Sequence, residues 1–286
     1  MTVARHGSGL EAATKAYASQ VHPVFMLPPL AASLFGALLA GFLEPLLAAI
    51  HIVAMFAAVY TAHVKDGYID FHKRGEDDDH PLTVRGCQFG LVGSTALFIT
   101  CCLLLGLVGN PLAAALTLPT WIIAYYHAPQ LDMNPVTATM GYPAGIALSI
   151  LGGFAVQTGT LGAIPVAFAL VFLCLLTGIK VIDDAKDYDY DRSINKRTVA
   201  VVLGPERAHT SAYGIMLIGM LAVVLLAITG VFPPSTAFAS LAFAAVAAIA
   251  YRAPPTLATM LLIRGCYVFL AVLVAAVWFE PLLWLL

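Results

Sequence analysis

The chain consists of long runs of apolar residues separated by short polar segments. A helix needs roughly 20 apolar residues to cross a hydrocarbon core of about 30 Å. About nine runs approach that length, with approximate bounds 24–43, 45–64, 87–108, 111–127, 137–158, 161–182, 208–230, 234–251 and 256–279. Glycine and proline lie between many of the runs, which is typical of tight helical hairpins. The pattern predicts an all-α, multi-pass membrane protein with about nine transmembrane helices, forming a single domain over residues 1–286.

Composition supports the membrane assignment. The 286 residues are 60% hydrophobic and 10% charged, with a mean hydropathy of +0.90, which is too apolar for a soluble domain. The net charge of -2 is the difference between 14 basic and 16 acidic residues, and it gives no support to a nucleic-acid partner. The five cysteines lie in or beside apolar runs without a CxxC pair or a histidine at zinc-like spacing. We interpret them as packing residues.

The distribution of basic residues predicts the orientation in the membrane. The loops after the first, third, fifth and seventh runs contain no lysine or arginine. Basic residues precede the first run and follow the second, sixth and eighth, including Arg5, Lys15, Lys65, Lys73, Arg74, Arg85, Lys186, Arg192, Lys196, Arg197, Arg207 and Arg252. By the positive-inside rule, the N-terminus and the even-numbered loops of this cell-membrane protein are cytoplasmic and the C-terminus is outside.

Two acidic stretches lie at the predicted cytoplasmic ends of apolar runs. In the second stretch, Asp183, Asp187 and Asp191 recur every four residues. A helix would place them on one face, with a drift of about 40° per step. Like charges stacked in this way repel, which predicts a cation against them. The first stretch begins with Asp66 and Asp70 at the same spacing.

The remaining polar residues carry weaker signals. We interpret residues 76–79 as a solvated loop face, with secondary metal capture as the alternative. His72, His80 and His127 are scattered through loops and do not predict a zinc site. Arg264 lies within the ninth run, where snorkelling and a functional role are equally compatible with its position.

The acidic motifs resemble those of the UbiA superfamily of intramembrane prenyltransferases. Asp183, Asp187 and Asp191 are similar to the family's Asp-x3-Asp-x3-Asp motif, and residues 195–204 continue like its GKRT…LG segment. The first stretch resembles the family's Asn-x3-Asp-x3-Asp motif, with Asp66 replacing Asn and Arg74 replacing the third acid. His80-Pro81-Leu82-Thr83 replaces an Arg-Pro-Leu-Pro-like turn, and residues 125–132 are similar to a Tyr-Ser-x-Pro-Leu loop. The resemblance covers nearly the whole chain and implies a helical bundle around a central cavity, capped by cytoplasmic loops.

The resemblance also implies a reaction. A polyprenyl group would pass from its diphosphate to a lipophilic acceptor, with Mg2+ lying between the diphosphate and the carboxylates. The implied catalytic residues and metal ligands, direct or through water, are Asp66, Asp70, Asp183, Asp187 and Asp191. Substrate-binding roles are implied for Arg74, Lys196 and Arg197 toward the diphosphate, and for Tyr125 and Tyr126, with Tyr68 and Tyr142 as further candidates, toward the developing carbocation. Because Arg74 replaces an acid, we expect the first metal to have fewer protein ligands than in typical relatives.

Several alternatives stay open at the level of the sequence. The expected partners are a polyprenyl diphosphate, a lipophilic acceptor and membrane lipid, but the acceptor's identity and the prenyl length are not fixed. The lack of basic residues near Asp132 disfavours a strongly anionic acceptor. Within the same fold, a UbiA-type terpene cyclase is an alternative. A divalent-cation or lipid transporter is disfavoured because the acids lie at helix ends rather than near the midplane, and a non-catalytic scaffold is disfavoured by the intact second motif.

Overall fold

The computed structural model describes residues 2–281, and the regular elements in that range are helices. They are α1 (Gly9–Ala18), α2 (Pro23–Leu38), α3 (Pro45–Ile69), α4 (Val84–Leu104), α5 (Pro111–Tyr126), α6 (Pro135–Thr158), α7 (Ala163–Lys186), α8 (Tyr188–Ser193), α9 (Val199–Leu203), α10 (Pro205–Ile228), α11 (Ala237–Ala250) and α12 (Pro255–Phe279). Short π-helical segments continue α3 and α4. The predicted domain and its outward C-terminus include residues 1 and 282–286, which lie outside the described residues.

Each predicted apolar run corresponds to one helix, α2 to α7 and α10 to α12. Within residues 2–281, six helices are long and apolar enough to cross a membrane. There are seven if α1 and α2, which are bent by 67° relative to each other, count as one span. The helix α5 and the segment Pro234–Ala250 are shorter apolar helices. An all-helical, multi-pass protein is therefore confirmed, whereas a count of nine spans stays a prediction.

Proline and side-chain caps determine where the helices begin. Proline occupies the first turn of α2, α3, α5, α6, α10 and α12, where its missing N–H leaves no intrahelical bond unmade. Thr83, Asn110, Asn134 and Thr198 accept backbone N–H bonds at the starts of α4, α5, α6 and α9. These prolines and capping residues thus determine where the helices begin to within a few residues.

Helix α7 lies at the centre of the largest hydrophobic cluster and packs against α6, α10 and α12. Its Phe168 ring stacks on Phe232 at a centroid distance of 3.9 Å. Helices α2 and α6 lie in close backbone contact at Gly36 and Gly153. A Cβ added to Gly36 would collide with the backbone carbonyl of Ile150, and one added to Gly153 would collide with that of Ser33. Small residues at such positions let helix backbones pack closely in membranes.

Candidate active site

The helical bundle encloses a cavity of about 870 Å³. The middles of several helices contribute apolar lining, including Pro28, Met55, Ala58, Ile146, Phe172 and Leu270. Charged and titratable residues line the part near the ends of α3 and α7: His22, His63, Asp66, Asp70, Asp77, His80, His127, Lys180, Asp183, Asp187 and Lys196. The cavity therefore combines a long apolar region with a dense group of carboxylates, imidazoles and two ammonium groups.

Asp66 and Asp70 of the first acidic stretch both line this cavity. Asp66 is in the last turn of α3, and Asp70 begins the π-helical continuation over residues 70–74. Arg74 lies outside the lining and pairs with acids: its guanidinium is 3.4 Å from Asp70, 3.7 Å from Glu76 and 4.0 Å from Asp132. From this position Arg74 can orient these carboxylates, whereas it does not reach a ligand in the cavity directly.

Asp77 lines the cavity and belongs to the run of residues 76–79, for which secondary metal capture was the alternative interpretation. The chain turns at Gly75, whose φ of +67° lies in the left-handed region that favours glycine, and this turn precedes Asp77. Neighbouring Glu76 is half-buried and accepts a hydrogen bond from the Tyr190 hydroxyl at 2.9 Å. The predicted solvated face of residues 76–79 thus fits Asp77, Asp78 and Asp79, which are exposed, but was wrong for Glu76. Gly75 was the available signal that the loop changes direction.

Residues 2–6, which we call the N-terminal strap, hold the loop between α3 and α4. The Thr83 N–H donates to the Val3 carbonyl at 2.9 Å, and the Arg5 N–H donates to the Pro81 carbonyl at 2.8 Å. The Arg5 guanidinium is 2.6 Å from Asp79 and lies 4.2 Å from the centroid of the Phe71 ring. The strap therefore fixes the loop that carries Asp77.

The second acidic stretch does not form one continuous helical face. Helix α7 ends at Lys186, Asp187 has φ -102° and ψ 18°, and α8 begins at Tyr188. Asp183 and Asp187 line the cavity, whereas Asp191 is 1% exposed and lies 3.6 Å from the Lys196 ammonium. Burial raises the pKa of Asp191, and Lys196 opposes that rise. The prediction that all three acids share one helix face was wrong, because the helix breaks at the second of them.

Lys180 and Asp184 form an ion pair that sequence reasoning missed. The Lys180 ammonium, which lines the cavity, is 2.5 Å from Asp184 and 3.5 Å from Asp183. Asp184 is 2% exposed and also accepts a hydrogen bond from the Thr139 hydroxyl at 3.2 Å. Lys186 pairs with Asp183 from the other side at 3.1 Å. The four-residue spacing of Lys180 and Asp184 was the signal, since such pairs meet on a helix face.

The remaining predicted site residues fall into two groups. Lys196 lines the cavity, whereas Arg197 lies outside the lining and its backbone N–H donates to the Asp132 carbonyl at 3.0 Å. Tyr125 and Tyr126 also lie outside it. The Tyr125 ring stacks on Trp121 at 5.0 Å and faces the Lys65 ammonium at 4.4 Å.

Two other tyrosines line the cavity and join helices across it. The Tyr142 hydroxyl donates to the Phe25 carbonyl at 3.1 Å, and the Tyr267 hydroxyl donates to the Val24 carbonyl at 2.7 Å. Tyr142 was among the sequence candidates, but Tyr267 was not. It sits mid-helix in α12, where an aromatic residue gives no sequence signal for a cavity.

The fold and site define a class: a multi-pass helical membrane protein with an apolar cavity bordered by carboxylates from two helix ends. Comparison with known families identifies which one. The family model of the UbiA prenyltransferase family matches residues 26–256, and the chain therefore belongs to this family. The resemblance found in the motifs is confirmed, and with it the prenyltransferase assignment at the level of the family.

Individual relatives are more distant. The digeranylgeranylglyceryl phosphate synthase of Methanothrix thermoacetophila is 27% identical over 158 residues, which span 54% of this chain and 56% of that protein. A solved structure concerned with digeranylgeranylglyceryl phosphate synthase in membranes superposes with a TM-score of 0.74 at 13% identity, covering 94% of this chain and 99% of the other. A UbiA homologue from Archaeoglobus fulgidus bound to GPP and Mg2+ gives 0.69 at 16% identity, covering 93% and 99%. At these identities the superpositions show a shared fold.

Proposed function

We propose that this protein is a Mg2+-dependent membrane prenyltransferase that transfers a polyprenyl group from its diphosphate to a lipophilic acceptor. The observation that carries the proposal is the meeting of Asp66, Asp70, Asp183 and Asp187 at the charged part of a cavity that is otherwise largely apolar. Such a cavity suits a substrate with a charged head and a long hydrocarbon tail. The Archaeoglobus homologue with bound GPP and Mg2+ supports this reading by analogy.

The donor set fits Mg2+, which prefers oxygen ligands and commonly binds between carboxylates and phosphate oxygens. Asp66, Asp70 and Asp77 would hold Mg2+ on one side of the cavity, and Asp183 and Asp187 on the other. Bound Mg2+ would neutralise charge on the departing diphosphate. The buried Asp191 is placed to orient Lys196 rather than to face the cavity.

The protein's own side chains supply the remaining chemistry. Lys180 and Lys196 line the cavity and stabilise the negative charge that grows on the diphosphate as the allylic C–O bond breaks. The electron pair of that bond leaves with the diphosphate, and a nucleophilic atom of the acceptor then bonds to the allylic carbon and loses a proton. The apolar lining holds the prenyl tail and excludes water, which would otherwise capture the carbocation. Tyr142 and Tyr267 line the cavity, and the rings of such residues stabilise positive charge.

The predicted orientation and span count belong to this proposal. All nine apolar helices of the predicted runs, including the shorter α5 and α11, would cross the membrane, and the loops that carry the acids would face the cytoplasm. The distribution of lysine and arginine supports this orientation. One prenyltransferase domain would then extend over residues 1–286, with the cytoplasmic loops capping the cavity and membrane lipid surrounding the bundle.

The test is turnover of geranyl, farnesyl and geranylgeranyl diphosphates by the protein in nanodiscs, with and without Mg2+ and with membrane lipid extract as the source of acceptor. Diphosphate release and lipid products are followed by mass spectrometry. Wild type is compared with Asp187→Ala and with the control Asp189→Ala, whose side chain is exposed and lies outside the cavity lining.

We expect Mg2+-dependent release in wild type and in Asp189→Ala, and its loss in Asp187→Ala. A product whose mass equals acceptor plus prenyl group indicates transfer, whereas a hydrocarbon of prenyl mass indicates cyclisation. If wild type consumes none of the three diphosphates at any Mg2+ concentration, the proposed function is wrong.

A further inference from the structure

A second group of potential metal ligands lies at the junction of α3 and α4. His72 belongs to the π-helical end of α3, His80 to the connecting loop and Cys87 to the first turn of α4. One ligand atom from each residue lies within 4.8 Å of the others. Intervals of eight and seven residues match no regular metal-binding pattern, so the spacing alone does not predict a site.

The group is largely buried, and one of its ring nitrogens lacks a hydrogen-bond partner among the described residues. Cys87 is fully buried and His80 is 5% exposed. The Nε2 atom of His80 is buried and has no hydrogen-bond partner among residues 2–281. A buried polar atom without a partner destabilises a fold, so an interaction that satisfies it would stabilise this one.

The second ring nitrogen of each histidine meets the same backbone carbonyl. His72 Nε2 lies 3.0 Å from the Leu82 oxygen, and because that oxygen only accepts, Nε2 carries the proton and leaves a lone pair on Nδ1. His80 Nδ1 lies 3.2 Å from the same oxygen and also 3.2 Å from the Leu82 nitrogen, whose N–H donates to it. Metal binding at Nε2 would select the tautomer in which Nδ1 donates to the oxygen instead. A metal-bound histidine usually donates its other N–H to a carbonyl or carboxylate in this way.

Two features of the surroundings of Cys87 act on the charge of its sulfur in opposite directions. Cys87 is the fourth residue of α4, and the unpaired N–H groups and dipole at a helix N-terminus stabilise negative charge on sulfur. Ala4, Val64 and Leu82 pack around it, and this burial favours the neutral thiol. A bound cation would therefore displace the thiol proton, as metal ions do at cysteine ligands.

We propose that His72, His80 and Cys87 bind one Zn2+ ion, which cross-links α3, the loop and α4. Two imidazoles and a thiolate suit Zn2+, whereas Mg2+ requires oxygen ligands, so this site is distinct from the carboxylate site. Tetrahedral Zn2+ needs ligand atoms about 3.3 to 3.6 Å apart, so small side-chain rotations would complete the site. Because His80 lines the cavity, the ion would fix the loop that carries Asp77.

The test uses the full chain in detergent, purified without chelator. Zinc content is measured by plasma mass spectrometry for wild type, Cys87→Ser and the control Cys101→Ser, which changes another buried cysteine of α4. We expect about one equivalent of zinc in wild type and Cys101→Ser, and its loss in Cys87→Ser. If Asp187→Ala retains its zinc, this site is independent of the carboxylate site. The zinc measurement can therefore be interpreted even if the proposed prenyltransferase function fails its own test.

A second measurement needs no variant. Wild type stripped of zinc is titrated with Co2+, and the thiolate-to-cobalt charge-transfer absorption is recorded. We expect the absorption to appear and to saturate at about one equivalent. Wild type that holds no more zinc than Cys87→Ser, or a cobalt complex without the thiolate absorption, would overturn the proposal.

Discussion

The two acidic stretches have the same four-residue spacing, but the structure uses them differently. In the first, Asp66 and Asp70 both line the cavity and a loop residue, Asp77, joins them. In the second, the helix breaks at Asp187, and Asp191 lies behind the cavity beside Lys196.

The partners of the two stretches differ as well. The first is held by Arg74, at the end of the π-helical continuation of α3, and by the N-terminal strap, which binds the loop that follows. In the second, Lys180 and Lys186 form ion pairs with acids of their own helix, α7. Equal spacing in the sequence therefore does not mean equal roles, because the position of the helix end decides which carboxylates reach the cavity.

The largest expected effect tests whether both sides of the cavity are needed. Asp70→Asn and Asp187→Asn each remove one carboxylate charge, and we expect each to lower kcat/KM for the prenyl diphosphate by about 10³-fold, ~4 kcal/mol in the barrier. Steady-state diphosphate release in nanodiscs measures this. A loss confined to one variant would show that a single stretch carries the chemistry.

The next effect concerns the ion pair inside α7. Lys180→Met would leave the buried Asp184 carboxylate without its cation, and we expect a loss of about 3 kcal/mol in unfolding free energy. The matched change Lys186→Met removes a more exposed pair and should cost less than about 1 kcal/mol. Reversible unfolding in mixed micelles compares them. Equal losses would contradict the special role of the buried pair.

A smaller effect tests Asp77, the loop acid of the first stretch. We expect Asp77→Asn to lower activity about tenfold and to raise the Mg2+ concentration needed for half-maximal rate. The reason is that the substitution removes one of the three carboxylates proposed to hold Mg2+ on this side of the cavity. Asp78→Asn, an exposed neighbour outside the cavity lining, is the control and should change neither quantity. An unchanged Mg2+ requirement in Asp77→Asn would remove this residue from the metal site.

The smallest effect concerns the N-terminal strap. Arg5→Ala removes a partly exposed ion pair with Asp79, so we expect at most ~0.5 kcal/mol in stability. Hydrogen–deuterium exchange should nevertheless quicken in residues 75–83, which the strap holds. Lys15→Ala breaks the exposed pair with Glu11 on α1 and should leave that loop unchanged.

Much of the fold was predictable because its signals are local. Apolar runs, prolines at helix starts and the scarcity of charge gave the helices and their order. The site was only partly predictable. The spacing of Asp66 and Asp70 led to the cavity, but the break at Asp187 depends on how α7 and α8 pack. Tyr267 required the tertiary structure, since its partner Val24 is 243 residues away in the sequence. Cys87 required it because the residues grouped with it have no regular spacing.

The contact between α2 and α6 has a consequence for how this protein tolerates mutation. At Gly36 and Gly153 even one additional methyl group would meet the opposite backbone, which cannot rotate away as a side chain can. In a library of all single substitutions, both positions should therefore be depleted of every replacement, alanine included. Gly145, where an added Cβ meets open space although the residue lines the cavity, should accept small residues.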